Sequence, residues 1–160
     1  MRGGFPWYHE PMIESFILKE EDMPGLAFKV SEILFNAQKD GAKVVLLDGD
    51  LGTGKTTFTK ELASVFGISK EKVNSPTFIL KKEYKTNNDI YTKLVHVDAY
   101  RFNNPAEAKV LRLKDDLENK ETIIVIEWPS KMHYVPADVS IKFDFVNEDT
   151  REITVSYDGV

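Results

Sequence analysis

The sequence predicts a three-layer α/β domain built on a mixed sheet. Three observations predict it. Val44–Leu47 and Ile123–Ile126 are short runs apolar throughout, as strands buried on both faces are. Apolar residues at helical spacing precede and follow the first run. Near the C-terminus, Val139, Ile141, Phe143 and Phe145 alternate with polar residues, and so do Ile153, Val155 and Tyr157. Asn147–Thr150 joins them, which reads as an antiparallel hairpin nearer an edge. The two apolar runs read as central and parallel.

Taken in order, residues 1–12 show no periodicity and read as a flexible or partner-dependent arm. Trp7, Tyr8 and His9 are either a docking segment or part of an ordinary tail. Residues 13–160 read as one domain, a length that suits a single core. Ile13–Leu18 reads as a strand. Asp22 and Pro24 mark a helix start, with Leu26, Val30, Ile33 and Leu34 as its apolar stripe. Asp40-Gly41 turns the chain into the first apolar run. After Gly67, Asn74–Tyr84 reads as a turn leading into a strand. Asn87–Asp89 is a turn signal, and Tyr91–Val97 the returning strand. Pro105–Leu113 reads as a short helix, Lys114–Lys120 as a second helical or irregular piece, and Ser130–Asp138 as loop.

Composition excludes several classes. No apolar run approaches the ~20 residues of a membrane span, and no basic stretch followed by an apolar run opens the chain as a signal peptide would. Without cysteine there is no disulfide framework and no thiolate zinc site, which is compatible with the cytoplasm. A net charge of −5 argues against a broad nucleic-acid-binding surface.

The most informative stretch lies between the first apolar run and the helix after it. Gly49-Asp50-Leu51-Gly52-Thr53-Gly54-Lys55-Thr56 fits the phosphate-loop pattern G-x-x-x-x-G-K-[ST] at every fixed position. Phe58, Leu62, Val65 and Phe66 form the stripe of the following helix, and Gly67 is placed to end it. Strand, glycine-rich turn and helix therefore come in the order the motif needs. The glycines let consecutive N–H groups converge into an anion nest, to which the helix start adds its unsatisfied N–H groups. Lys55 can reach the β- and γ-phosphates, and the Thr56 hydroxyl can ligate Mg²⁺. Residues 49–57, with Thr57 next in line, are the expected nucleotide-binding set. The fold class becomes a P-loop NTPase-like domain with a mixed central sheet and a C-terminal β-hairpin.

A phosphate loop needs a carboxylate for the metal, usually at the end of a neighbouring strand. Glu127 and Asp98 both stand at strand ends. Glu127 is assigned to Mg²⁺, because its run is the more fully apolar, and Asp98 to the attacking water. For each, an acid that merely caps a loop is the competing reading. Thr77, after Ser75-Pro76, either senses the γ-phosphate from a switch loop or sits in a simple turn. Trp128 either walls the site, faces a partner, or packs in the core. Arg101 is either a cation for the transition state or half of a surface ion pair. His96 alternates with apolar neighbours and reads as packed. Asn119-Lys120-Glu121-Thr122 resembles the guanine-reading N-K-x-D motif. Thr122 replaces the acid and the segment precedes its strand, so ATP is expected instead.

Four stretches together resemble the TsaE family, the small bacterial ATPase required for making threonylcarbamoyladenosine in tRNA. They are residues 49–57, Ser75-Pro76-Thr77, His96-Val97-Asp98-Ala99-Tyr100-Arg101, and Ile126-Glu127-Trp128-Pro129, in matching order and spacing. The resemblance runs from about residue 13 to the end. It implies ATP and Mg²⁺ as ligands, with Thr56 and Glu127 on the metal, Asp98 serving the water, and Thr77 in a switch-like segment. It implies the TsaD and TsaB proteins as partners, with tRNA met only through their complex. It also implies that Arg151 lies near the nucleotide, for which the residues themselves give no signal.

Two other classes compete. A small-molecule kinase commonly needs several arginines in a lid, and this chain has only Arg2, Arg101, Arg112 and Arg151. A nucleotide-gated binding module would hydrolyse only incidentally. With no arginine assigned to the transition state, hydrolysis is expected to be slow alone and faster with partners.

Overall fold

In the computed structural model, residues 10–74 and 80–159 are described. Seven strands form one sheet: β1 (Pro11–Lys19), β2 (Lys43–Gly49), β3 (Lys81–Lys85), β4 (Lys93–Asp98), β5 (Thr122–Glu127), β6 (Val139–Phe145) and β7 (Thr150–Asp158). Their order across the sheet is β1-β7-β6-β2-β5-β4-β3. The inner four, β6, β2, β5 and β4, run parallel, and the flanking pairs are antiparallel. The fold is mixed α/β, as expected.

Two helices cover one face, α1 (Met23–Asn36) and α2 (Lys55–Val65). Leu26, Val30 and Leu34 of α1 and Phe58 and Leu62 of α2 pack onto Val45, Leu47, Val125, Ile141 and Val155. The α2 stripe departs from the expectation at Val65, which is 39% exposed. The buried face is centred on Leu62 and extends toward Thr59 and Ala63, leaving Val65 at its margin. Gly67 follows the helix end in the left-handed region, φ 80°, where a Cβ would stand 2.6 Å from that of Asn87. Asp22 precedes α1, but its carboxylate accepts the Lys19 N–H at 2.8 Å and closes a turn, making no cap bond to the helix.

The opposite face is covered more thinly. Val44, Val95, Val97, Ile124 and Ile126 pack under Phe102, Leu111, Leu113 and Met132. The segment expected as a helix at 105–113 is a 3₁₀ helix over Pro105–Leu111. It is broken at Arg112 (φ 50°) before a short α3, Leu113–Glu118. Asp116 of α3 receives Lys81 and Lys93 from β3 and β4 at 2.9 and 2.6 Å, tying this layer to the sheet.

The C-terminal hairpin is antiparallel and lies toward one edge of the sheet, as expected, with one further strand outside it. β6 pairs in parallel with β2, and β7 lies between β6 and β1, the edge strand on that side; β3 is the other edge. The alternation in β6 and β7 reports one-sided burial. Among the described residues no helix lies over their second face, with Lys142 and Asp144, and Ile13 and Ile17 of β1 stand 64% and 62% exposed on the same side. One-sided burial produces a period of two in an inner strand as well as an outer one. β1 also begins earlier than expected: Pro11 and Met12 pair with Asp158 and Tyr157. The chain up to residue 9 lies outside the described residues. Among the described residues no helix is long and apolar enough to cross a membrane.

Candidate functional site

Parallel pairing brings three strand ends together. Glu127 is in register with Asp98 on one side and with Leu47 on the other, two residues before Gly49. Residues in register across parallel strands share a face. Asp98 and Glu127 therefore project on the α2 side, beneath the start of that helix. Gly49 can serve as the exit because it has no side chain: a Cβ there would meet the Phe143 carbonyl oxygen at 2.7 Å. The loop then passes Thr53, whose hydroxyl donates to the Asp50 carbonyl at 2.7 Å, and enters α2 at Lys55 with Gly54 before it. The first-turn N–H groups of α2 have no partners within the helix, and they face the mouth of the loop.

Lys55 is buried and folded back on the loop. Its ammonium donates to the carbonyl oxygens of Gly49 and of Asp50, the latter at 2.9 Å. It also lies 4.6 Å from the ring centre of Trp128. Burial pushes the Lys55 ammonium below its ordinary value, against the pull of the Glu127, Asp98, Asp48 and Asp50 carboxylates. A cation so placed gains more from phosphate oxygens than one in water would.

Thr56 Oγ1 lies 3.3 Å from Glu127 Oε1, the two residues being joined across 71 positions of sequence. With its proton on Glu127, the Thr56 hydroxyl keeps lone pairs for a cation. Among the described residues no cluster of three or more His, Cys, Asp or Glu could hold a metal by itself. A hydroxyl and one carboxylate fit Mg²⁺ nonetheless, which commonly takes one or two protein oxygens and completes its shell with phosphates and water. Asp98 accepts the Tyr100 N–H at 3.0 Å, and the Tyr100 ring lies 5.1 Å from that of Trp128.

Trp128 follows Glu127 in the left-handed region, φ 59° and ψ 52°, and donates its N–H to Leu47 at 3.1 Å. A non-glycine residue held there carries a strain of about 1–3 kcal/mol. The turn directs its ring over Lys55 and ends β5 at the site. Trp128 is partly buried against the core of the second face and also borders the cleft, so packing and a place beside the site are both present. Lys55, Thr56, Asp98, Arg101, Glu127 and Trp128 border one cleft of about 290 Å³.

A second cleft, about 340 Å³, opens on the other side of the loop, where Thr57, Gly52 and Arg151 meet Glu20, Glu21 and Glu148. Arg151 reaches it from β7. Its guanidinium donates to the carbonyls of Asn147, Glu148 and Thr150 at 3.0–3.2 Å, and to Gly52 of the loop at 3.4 Å. Its carbon lies 4.4 Å from the centre of the Phe145 ring. Pairing of β6 with β7 creates this arrangement, so no local pattern announced it. Thr77 lies outside the described residues.

His96 is packed, as expected, with no exposed surface. Sequence reasoning missed what it packs against: its Nε2 is 3.7 Å from Glu127 Oε2. The spacing of two from Asp98 on one strand was the available signal, since it places both on the α2 face.

The strand, the glycine-rich loop and the helix, with a strand-end acid beside the loop threonine, define a P-loop NTPase-like protein. The comparisons agree and go further. The family described as "Threonylcarbamoyl adenosine biosynthesis protein TsaE" matches residues 18–153. The chain belongs to the TsaE family. It is 31% identical over 147 residues to the tRNA threonylcarbamoyladenosine biosynthesis protein TsaE of Aquifex aeolicus, covering 91% of this chain and 97% of that one. It is 38% identical over 118 residues to the protein of the same name from Bacillus subtilis, covering 72% and 70%. Its fold matches a crystal structure of Bacillus subtilis YdiB with a TM-score of 0.67 at 28% identity, covering 95% of this chain and 90% of that one.

Proposed function

We propose that this chain is a Mg²⁺-dependent ATPase of tRNA threonylcarbamoyladenosine biosynthesis, working in the cytoplasm in a complex with the TsaD and TsaB proteins and meeting tRNA only through it. The single observation that carries the catalytic part is the meeting of Thr56 and Glu127 at 3.3 Å beside the buried Lys55. Membership of the family supports the pathway.

In this reading the loop N–H groups and Lys55 hold the β- and γ-phosphates. Lys55 exchanges the carbonyls of Gly49 and Asp50 for phosphate oxygens. Thr56 and Glu127 hold Mg²⁺, which supplies positive charge against the phosphates when bound. Asp98 orients the attacking water, and Trp128 with Tyr100 keeps bulk water from that side. The nucleoside extends past Thr57 into the cleft that Arg151 borders. Thr77 serves as the segment that responds to loss of the γ-phosphate.

The test is incubation of the purified chain with ATP and Mg²⁺ and no acceptor. Inorganic phosphate is expected, with GTP a weak competitor. Phosphate transfer that occurs only when a small-molecule acceptor is added would replace this reading with a kinase. No ATP turnover even with the partners would leave a nucleotide-gated binding module.

A further inference from the structure

Glu127 has two carboxylate oxygens, and they face different neighbours. Oε1 is 3.3 Å from the Thr56 hydroxyl, and Oε2 is 3.7 Å from His96 Nε2. His96 stands on β4, whose Asp98 is in register with Glu127, so the imidazole lies one step back along the same face. It has no exposed surface, and among the described residues neither ring nitrogen has a hydrogen-bond partner.

That is an unusual choice for a packing residue. A buried polar ring without a partner opposes folding, and Leu94, on the same strand and face, is wholly buried without that penalty. The nitrogen nearest a carboxylate is only about half an ångström beyond hydrogen-bond range. The last torsion of a glutamate side chain is broad, so rotation of the carboxylate closes such a gap.

We propose that His96 is a positioning residue for Glu127: an N–H on Nε2 holds Oε2, so that Oε1 stays turned to Thr56 and the phosphate cleft. The role requires only a proton on Nε2 and is the same for either charge state of the ring. It rests on the reading of Thr56 and Glu127 as the Mg²⁺ pair. Outer groups of this kind typically change metal affinity by about 10–100-fold when removed.

The test compares His96→Gln, whose amide nitrogen reaches the place of Nε2, with His96→Asn, whose amide is too short to do so. Calorimetry gives ADP affinity across a magnesium titration and again with chelator present, and thermal melting confirms folding. His96→Asn is expected to raise the magnesium half-saturation about tenfold or more, with ADP affinity in chelator unchanged. His96→Gln should stay within about threefold of the parent. Equal losses in the two folded variants, or none in either, would overturn the positioning role while leaving the metal pair intact. A parent protein whose ADP affinity ignores magnesium would overturn the metal pair itself, and the proposal with it.

Discussion

The ammonium of Lys55 lies 4.6 Å from the ring centre of Trp128 while it donates to the carbonyls of Gly49 and Asp50. The loop lysine is thus held by its own loop and by the residue after Glu127. In the proposed reading, an arriving phosphate has to draw it off both. A cation over an indole is worth about 0.5–2 kcal/mol, less than a charged phosphate contact in the same site.

Lys55→Ala should therefore weaken ATP and ADP binding by about 1.5–3 kcal/mol, roughly 10–150-fold. Nucleotide should also change the emission of Trp128 in the parent and not in this variant. Trp7→Phe provides the background for that measurement, because Trp7 is the other tryptophan. Unchanged affinity in a folded Lys55→Ala protein would sink the phosphate-loop assignment.

Glu127→Ala and Asp98→Asn should separate. The first should raise the magnesium requirement more than it affects nucleotide binding in chelator. The second keeps the shape of Asp98 and should spare binding while slowing turnover, by roughly 10²-fold or more if Asp98 handles the water. If Asp98→Asn abolished magnesium dependence and Glu127→Ala were silent, the two roles would be exchanged.

These two acids show what the sequence made legible. Both end strands: β5 was visible because it is buried on both faces and reads as an unbroken apolar run, and β4 because Leu94, Val95 and Val97 lead up to Asp98. The loop was legible because its chemistry demands fixed residues at fixed spacing. The antiparallel hairpin and its place toward an edge were legible too; its neighbours, β2 on one side and β1 on the other, were not, because alternation reports how many faces are covered and says nothing of which strand lies alongside. For the same reason Arg151 had no local signal: it is 99 positions from Gly52, and only the sheet order brings them together. His96 looked like core because it is core; its distance to Glu127 exists only in three dimensions.

Asp116 should make stability depend on acid pH. Burial alone would raise its pKa, but the hydrogen bonds from Lys93 and Lys81 outweigh burial and hold the carboxyl below its ordinary value of 3.8. A depressed folded pKa means stability that is fully present above the unfolded value and lost as pH falls through the folded one. Asp116→Asn should cost about 1.5–3 kcal/mol near neutrality. Urea unfolding of the two proteins should converge as pH falls below 3.8. A difference that persists unchanged into strong acid would show that the ion pair is not its source.

The most direct test of the ATPase reading is steady-state phosphate release from ATP and Mg²⁺, at fixed salt, with and without the purified TsaD and TsaB proteins. In the proposed reading the site combines the phosphate loop with Glu127 as the metal acid and Asp98 on the side of the water. Arg151 has its guanidinium on backbone carbonyls, and Arg101 borders the cleft from an exposed position. A cation brought to the transition state is worth about 10³–10⁵-fold in such chemistry. Slow release is expected from the chain alone, with a rise of roughly tenfold or more with the partners. Rapid release by the chain alone, unchanged by the partners, would contradict it.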